Sequence, residues 1–89
     1  MPVLPSQIER AATLARQFGA TRLVLFGSAL ENAAQARDLD LACDGVPGWK
    51  LFELAARIEE ELRLPLDLVP LQPVTRFTRH ILAHGKALL

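Results

Sequence analysis

Three aspartates and a Gly-Ser pair are the residues whose types and spacing could do chemistry. Asp38 and Asp40 lie two positions apart, Asp67 follows further along the chain, and Gly27-Ser28 precedes all three. On one strand face, at about 3.3 Å rise per residue, the first two carboxylates would lie about 6.6 Å apart and could share a cation. Carboxylate oxygens without His or Cys favour Mg²⁺ or Mn²⁺ over Zn²⁺. We therefore predict a divalent-metal site at Asp38 and Asp40, with Asp67 as a third ligand if its strand is adjacent.

The Gly27-Ser28 pair directly follows a short apolar run over residues 22–26. A glycine lets the backbone approach a ligand closely, and backbone N–H groups at such a turn suit phosphate. Magnesium usually takes one to three protein carboxylates and completes its octahedron with water and substrate phosphate, so three aspartates and a phosphate-binding turn are enough for a nucleotide site. The simpler alternatives are a helix cap for Ser28 and a solvated edge strand for Asp38 and Asp40.

Helical and strand-like patterns alternate along the chain and would position these residues. Ser6 and Glu9 have capping-box spacing, and residues 38–43 alternate polar and apolar side chains with period two. The pattern puts Asp38 and Asp40 on one strand face and Leu39 and Leu41 on the other. We predict an α/β fold with three helices, three strands and one linker, at residues 6–18 (helix), 22–26 (strand), 29–37 (linker), 38–43 (strand), 48–62 (helix), 66–69 (strand) and 74–84 (helix).

Composition limits the functional classes. The chain has 89 residues, is 51% hydrophobic and carries no net formal charge, so we expect a single domain over residues 1–89 and no general attraction to nucleic acid or anionic lipid. The charge is uneven: residues 1–37 carry +2, residues 38–67 carry −5 and residues 68–89 carry +3. A mean hydropathy of +0.21 in so short a chain predicts apolar surface that a protein partner covers.

The cellular location is predicted from what the sequence lacks. Cys43 is the single cysteine, the first ten residues have no signal-peptide pattern, and no apolar run approaches the roughly 20 residues of a membrane span. We expect a soluble cytoplasmic protein that does not associate with membranes.

The three segments that carry the candidate residues resemble one known family. Leu25-Phe26-Gly27-Ser28, then Asp38-Leu39-Asp40-Leu41, then Leu66-Asp67-Leu68-Val69 are similar to motifs of the minimal nucleotidyltransferase (MNT) family in the polymerase-beta-like superfamily. The resemblance spans nearly the whole chain and includes the closing segment 81–88.

The resemblance implies a small mixed β-sheet packed by helices, and an enzyme that uses Mg²⁺ (or Mn²⁺) and a nucleoside triphosphate, most simply ATP. Such an enzyme transfers the nucleoside monophosphate to a hydroxyl of a protein partner. Many family members are antitoxins paired with a helical HEPN toxin. By position, Gly27 and Ser28 would hold the triphosphate, Asp38 and Asp40 the metal, and Asp67 would be the third carboxylate that deprotonates the acceptor. The expected assembly is a hetero-oligomer, with a homodimer left open.

Two differences from the family pattern support an alternative function. The residues after Ser28 include neither the usual basic residue nor a second glycine, and Arg37 precedes Asp38 where a small polar residue is usual. The alternative is an MNT-fold binding module without catalysis that neutralises its partner by masking it.

The remaining candidates have simpler explanations. We expect Cys43 to be a buried small hydrophobe, and His80 and His84 to be helix residues rather than zinc ligands. Trp49 and Phe52 are predicted to be core or partner-contact residues. Two arginines flank Phe77, which leaves an RNA-binding accessory domain as a weaker possibility; these are Arg76 and Arg79.

Overall fold

The computed structural model describes residues 2–89. Four helices and four strands alternate along this part of the chain: α1 (Pro5–Gln17), β1 (Arg22–Phe26), α2 (Ser28–Glu31), β2 (Leu39–Asp44), α3 (Gly48–Leu62), β3 (Leu66–Pro70), α4 (Arg76–His84) and β4 (Lys86–Ala87). All three predicted helices and all three predicted strands are present. The prediction missed α2, which lies in the supposed linker, and β4, which lies in the tail. No helix among residues 2–89 is long and apolar enough to cross a membrane.

The four strands form one mixed sheet in the order β3-β2-β1-β4. β1 is antiparallel to β2 and to β4, whereas β2 and β3 are parallel. The parallel pair follows from the α3 crossover between β2 and β3, because parallel neighbours need a long connection. The predicted α/β fold with a small mixed sheet is confirmed.

Helices or loops cover both faces of the sheet. The first face packs against α1 and α3 and contains the larger apolar cluster, which includes Leu25, Leu41, Leu14 and Leu54. On the second face a smaller cluster joins β1 and β2 to α4 and the segment before it; it consists of Val24, Ala42, Leu71 and Ile81. Burial on both faces explains why β1 is a continuous apolar run.

The ends of two helices differ from the sequence prediction. α1 begins at Pro5, and its first turn is capped by Gln7, whose Oε1 accepts a hydrogen bond from Leu4 N at 2.8 Å. The predicted Ser6–Glu9 capping box is therefore wrong, because proline, which has no N–H, already suits the first helical position. α4 is capped by Thr75, whose Oγ1 accepts from Thr78 N at 3.1 Å.

Of the two alternatives predicted for Trp49 and Phe52, core or partner contact, the structure excludes the core. The two side chains are 71% and 81% exposed. On α4 only Thr78 and Ile81 are buried, while Phe77 is 54% exposed. The helix therefore touches the sheet along a narrow line.

Candidate functional site

Asp40 and Asp67 lie side by side on paired strands. In the parallel β2–β3 pair, Asp40 is opposite Asp67, and in the antiparallel β1–β2 pair it is opposite Phe26. Paired positions point to the same face of a sheet, and neighbouring strands are about 4.8 Å apart. The structure therefore brings these two carboxylates together on the second face. β3 is adjacent to β2, which is the condition set above for Asp67 to be a third ligand.

Asp38 does not lie on the strand, contrary to the sequence prediction. β2 begins at Leu39, whose N–H donates to the Pro65 carbonyl at 2.9 Å and starts the pairing with β3. Asp38 is one residue outside this pairing, and its Oδ1 accepts a hydrogen bond from Ser28 Oγ at 3.4 Å. The expected spacing along one strand face therefore does not apply, and Asp38 is linked to the site through Ser28.

Position 27 requires a glycine for two reasons, which are the backbone conformation and the close contact with Asp40. It has φ 73° and ψ −152°, a conformation that is essentially confined to glycine. A Cβ at this position would overlap Asp40 Oδ2 and lie 3.0 Å from Asp40 Cγ. The strand-to-helix turn thus holds the Asp40 carboxylate directly against the Gly27 backbone.

Ser28 is the first residue of the short helix α2 and does not cap it. The N-cap position belongs to Gly27, whose carbonyl accepts from Leu30 N and Glu31 N at 3.2 Å each. The helix-cap alternative for Ser28 is therefore wrong, and its hydroxyl is directed to Asp38. Leu30 N and Glu31 N are occupied by these bonds, whereas the N–H groups of the first two residues of a helix have no acceptor within it and can hydrogen-bond to an anion.

The site carries excess negative charge. Burial, followed by repulsion from Asp38 and then from Asp67, raises the pKa of the Asp40 carboxyl. Each cause disfavours the ionised form, and the second and third show that all three carboxylates interact electrostatically. A cation would offset the repulsion and favour the ionised form of Asp40.

The donor chemistry fits a magnesium ion shared with a substrate. Within residues 2–89, no group of three or more His, Cys, Asp or Glu side chains is already arranged as a metal cluster. Magnesium is usually bound by one or two carboxylates, and water and substrate phosphates complete its octahedron, so a closed cluster is unnecessary. Asp40, with Asp67 beside it and Asp38 nearby, supplies only oxygen ligands and an unneutralised charge, which fit a hard cation.

The other candidates lie apart from these carboxylates. Arg37 lines a surface cavity with Gln7 and Leu62, and within residues 2–89 it forms no ion pair with Asp38. Cys43 is buried on the first face, as predicted. Burial and the neighbouring Asp44 raise the pKa of its thiol to about 11, so it is a poor nucleophile.

His80 and His84 are exposed on α4, with their ring centroids 4.4 Å apart, and they belong to no metal cluster in the described part of the chain.

A cavity next to Gly27 was not anticipated from the sequence. It has a volume of about 360 Å³ and lies between α2 and α4; its lining includes Phe26, Gly27, Leu30, Glu31, Phe77 and His80. The Phe26 and Phe77 rings meet edge to face, with centroids 5.9 Å apart and planes at 84°. Phe26, placed just before Gly27, is the only local signal in the sequence, because Phe77 comes from a distant helix.

Comparison with known proteins supports the fold through structure rather than sequence. No protein-family model matches the chain, and no curated protein matches it significantly. A toxin–antitoxin complex with AMP-PNP contains a chain that matches with a TM-score of 0.75 at 24% identity, over 91% of this chain and 72% of that one.

Two further complexes give the same result. A complex of a tri-AMPylated HEPN toxin from Shewanella oneidensis with an MNT antitoxin contains a chain that matches with a TM-score of 0.74 at 22% identity. The match covers 94% of this chain and 70% of that one. An MntA–HepT toxin–antitoxin complex matches with a TM-score of 0.74 at 21% identity, over 97% and 72%. The chain therefore has the nucleotidyltransferase fold of MNT proteins.

Proposed function

We propose that this protein is a minimal nucleotidyltransferase that transfers a nucleoside monophosphate, AMP from ATP, to a hydroxyl of a protein partner. The observation that carries the proposal is the position of Asp40, which lies beside Asp67 on paired strands and against the backbone of Gly27. The same fold occurs in a toxin–antitoxin complex with AMP-PNP and in a complex of an MNT antitoxin with a tri-AMPylated HEPN toxin. By analogy, the partner would be a helical HEPN-type toxin, and this single domain over residues 1–89 its cytoplasmic antitoxin.

In the proposed reaction the acceptor oxygen forms a bond to the α-phosphorus of ATP, and the bond from that phosphorus to the leaving pyrophosphate breaks. The acceptor proton passes to Asp67, which lies on the outermost strand of the sheet next to Asp40. Asp38 and Asp40 would hold Mg²⁺, with Asp67 as a further ligand. The ion would neutralise negative charge on the α-phosphate and the pyrophosphate.

Gly27 and Ser28 have a binding role in this proposal. The Gly27 turn brings the backbone close to Asp40, and the free N–H groups at the start of α2 would donate to the triphosphate. Ser28 keeps Asp38 beside the turn through its hydroxyl. Both residues act by positioning, which is the main requirement of nucleotidyl transfer.

Transfer of label from ATP tests the proposal. The full chain is incubated with Mg²⁺, ATP labelled at the α-phosphate and the HEPN-type toxin proposed as its partner. The partner should become labelled with the wild type, and Asp40→Asn should reduce the rate by at least about 100-fold, the scale of losing one strong transition-state contact. Asp44→Asn is the matched control, because Asp44 ends the same strand and is paired with Arg22 at 3.7 Å outside the site. Equal labelling by wild type and Asp40→Asn would contradict the proposal.

A second candidate function is neutralisation by masking. The 71% and 81% exposure of Trp49 and Phe52 favours a protein-binding surface, and no basic side chain follows Ser28 directly. In this case Asp40→Asn would still neutralise the partner in cells and form the complex, whereas Trp49→Ala with Phe52→Ala would lose both. Loss of neutralisation by Asp40→Asn with the complex intact would contradict pure masking.

A further inference from the structure

We propose that the cavity between α2 and α4 holds the nucleobase of the nucleoside triphosphate, and that Phe77 is the side chain that contacts the base. This inference rests on the proposed function and names the part of the site that recognises the nucleoside. No residue of α4 was assigned to the site from the sequence.

The first argument is the position of the cavity. Gly27 lines it and also contacts the Asp40 carboxylate, so the cavity begins where the proposed triphosphate and metal site ends. Phe26 lies opposite Asp40 across the β1–β2 pair and forms another part of the lining. A nucleotide with its phosphates at the Gly27 turn would therefore have its base within reach of this cavity.

The second argument is the chemistry of the lining. The lining is mainly apolar and aromatic, and three polar side chains interrupt it; the apolar residues are Phe26, Leu30, Phe77 and Ile81, and the polar ones are Glu31, His80 and His84. Pockets of this composition bind flat organic rings, and the polar groups fix the orientation of the ring. The Glu31 carboxylate in the same lining disfavours a phosphate in the cavity and can accept a hydrogen bond from an amino group on a base. The cavity thus suits the base rather than the triphosphate.

The third argument is the exposure of Phe77. The ring is 54% exposed, although its edge-to-face contact with Phe26 fixes its position. A partly exposed aromatic ring that lines a cavity and packs against a second ring is suited to stacking on a base, which occurs with every base because each has a π face.

Binding of two ligands in Mg²⁺ tests the inference on the full chain. One ligand is ATP, and the other is inorganic tripolyphosphate, which has no base. We expect Phe77→Leu to weaken ATP binding about tenfold, within the range for loss of one base-stacking aromatic, and to change tripolyphosphate binding less than twofold. Phe77→Tyr keeps the ring and should bind ATP within about threefold of wild type.

Leu82→Ala is the matched control, because it removes another exposed apolar side chain from α4 and lies outside the cavity. It should leave the binding of both ligands unchanged. The melting temperature of each variant without ligand shows whether it is folded, and Phe77→Met, which also lacks the ring, provides the test if Phe77→Leu is not folded.

The outcomes separate this inference from the proposed function. Wild-type ATP affinity in Phe77→Leu, or an equal loss for both ligands, would overturn the base pocket and leave the nucleotidyltransferase proposal standing. A tenfold loss in Phe77→Tyr would also overturn the role of the ring. If the wild type binds neither ATP nor tripolyphosphate, both proposals are overturned.

Discussion

Two neighbouring rows on the second face of the sheet have opposite chemistry. They cross the same three strands and are separated by two residues along each strand. The apolar row consists of Val24, Ala42 and Val69, and the acidic row consists of Phe26, Asp40 and Asp67. Val24 and Ala42 are 5% and 0% exposed beneath Leu71 and Ile81, whereas burial and repulsion disfavour the charge of Asp40.

The difference between the rows separates stability from function. The apolar row gains free energy from burial, while the acidic row concentrates like charges at a position where an apolar residue would be more favourable. A fold that keeps Asp40 and Asp67 adjacent is destabilised by their repulsion unless a cation is bound. Substitutions in the two rows should therefore change the free energy of unfolding by different amounts, most where α4 covers the apolar row.

The largest effect is expected where α4 covers the apolar row. Ile81→Ala removes a side chain that is 1% exposed and should destabilise the protein by about 2–5 kcal/mol, because a cavity remains. Urea unfolding measures the change. Leu82→Ala, at the next position and 37% exposed, is the control and should change stability by less than about 1 kcal/mol. Equal losses in the two variants would contradict the assignment of this core.

A smaller loss of stability is expected at the Gly27 turn, which supports the acidic row. Gly27→Ala forces a side chain into a positive-φ conformation and against Asp40, and should destabilise the protein by roughly 1–3 kcal/mol. Gly48→Ala is the control, because no atom lies within 4 Å of the added Cβ and Gly48 is helical. Thermal unfolding of both variants checks this, and similar melting temperatures would show that the Gly27 contact is unimportant.

The smallest expected effect is a gain of stability, when Asp40 is replaced by asparagine. Because the pKa of Asp40 is raised in the folded state, the folded protein binds more protons than the unfolded chain as this group titrates, and wild-type stability falls as pH rises through that range. Asp40→Asn removes this destabilisation. Without divalent metal, the variant should melt slightly above wild type at pH 7, and the difference should vanish below the ordinary aspartate pKa of 3.8.

Asp44→Asn, on the same strand, is the control for this measurement and should show no such gain. A wild type that is more stable than Asp40→Asn at pH 7 without metal would show that Asp40 forms stabilising contacts instead of repulsive ones.

Local patterns were sufficient for much of this account. The period-two alternation over residues 38–43 predicted β2, and the Gly27-Ser28 pair with Asp40 and Asp67 indicated where the fold concentrates charge. The boundary at Asp38 was wrong because the strand begins where Leu39 pairs with Pro65, and this contact spans 26 positions of sequence. β4 was missed because two residues show no periodicity.

The Phe77 cavity was missed for a similar reason. It forms only when α4 crosses the sheet next to Phe26, and the pattern of residues 74–84 predicted a helix but not this contact. Contacts between distant segments thus fix both the start of β2 and the cavity, and local sequence patterns could predict neither.

The melting temperature of wild type and of Asp38→Asn/Asp40→Asn tests the central claim most directly, with Mg²⁺ alone, ATP alone and both together. The account predicts that wild type is stabilised chiefly by Mg²⁺ with ATP, by about 2.7 kcal/mol at 100 times the Kd, and that the double variant is not. Equal stabilisation of both proteins, or no response of the wild type, would contradict a nucleotide and metal site at these carboxylates.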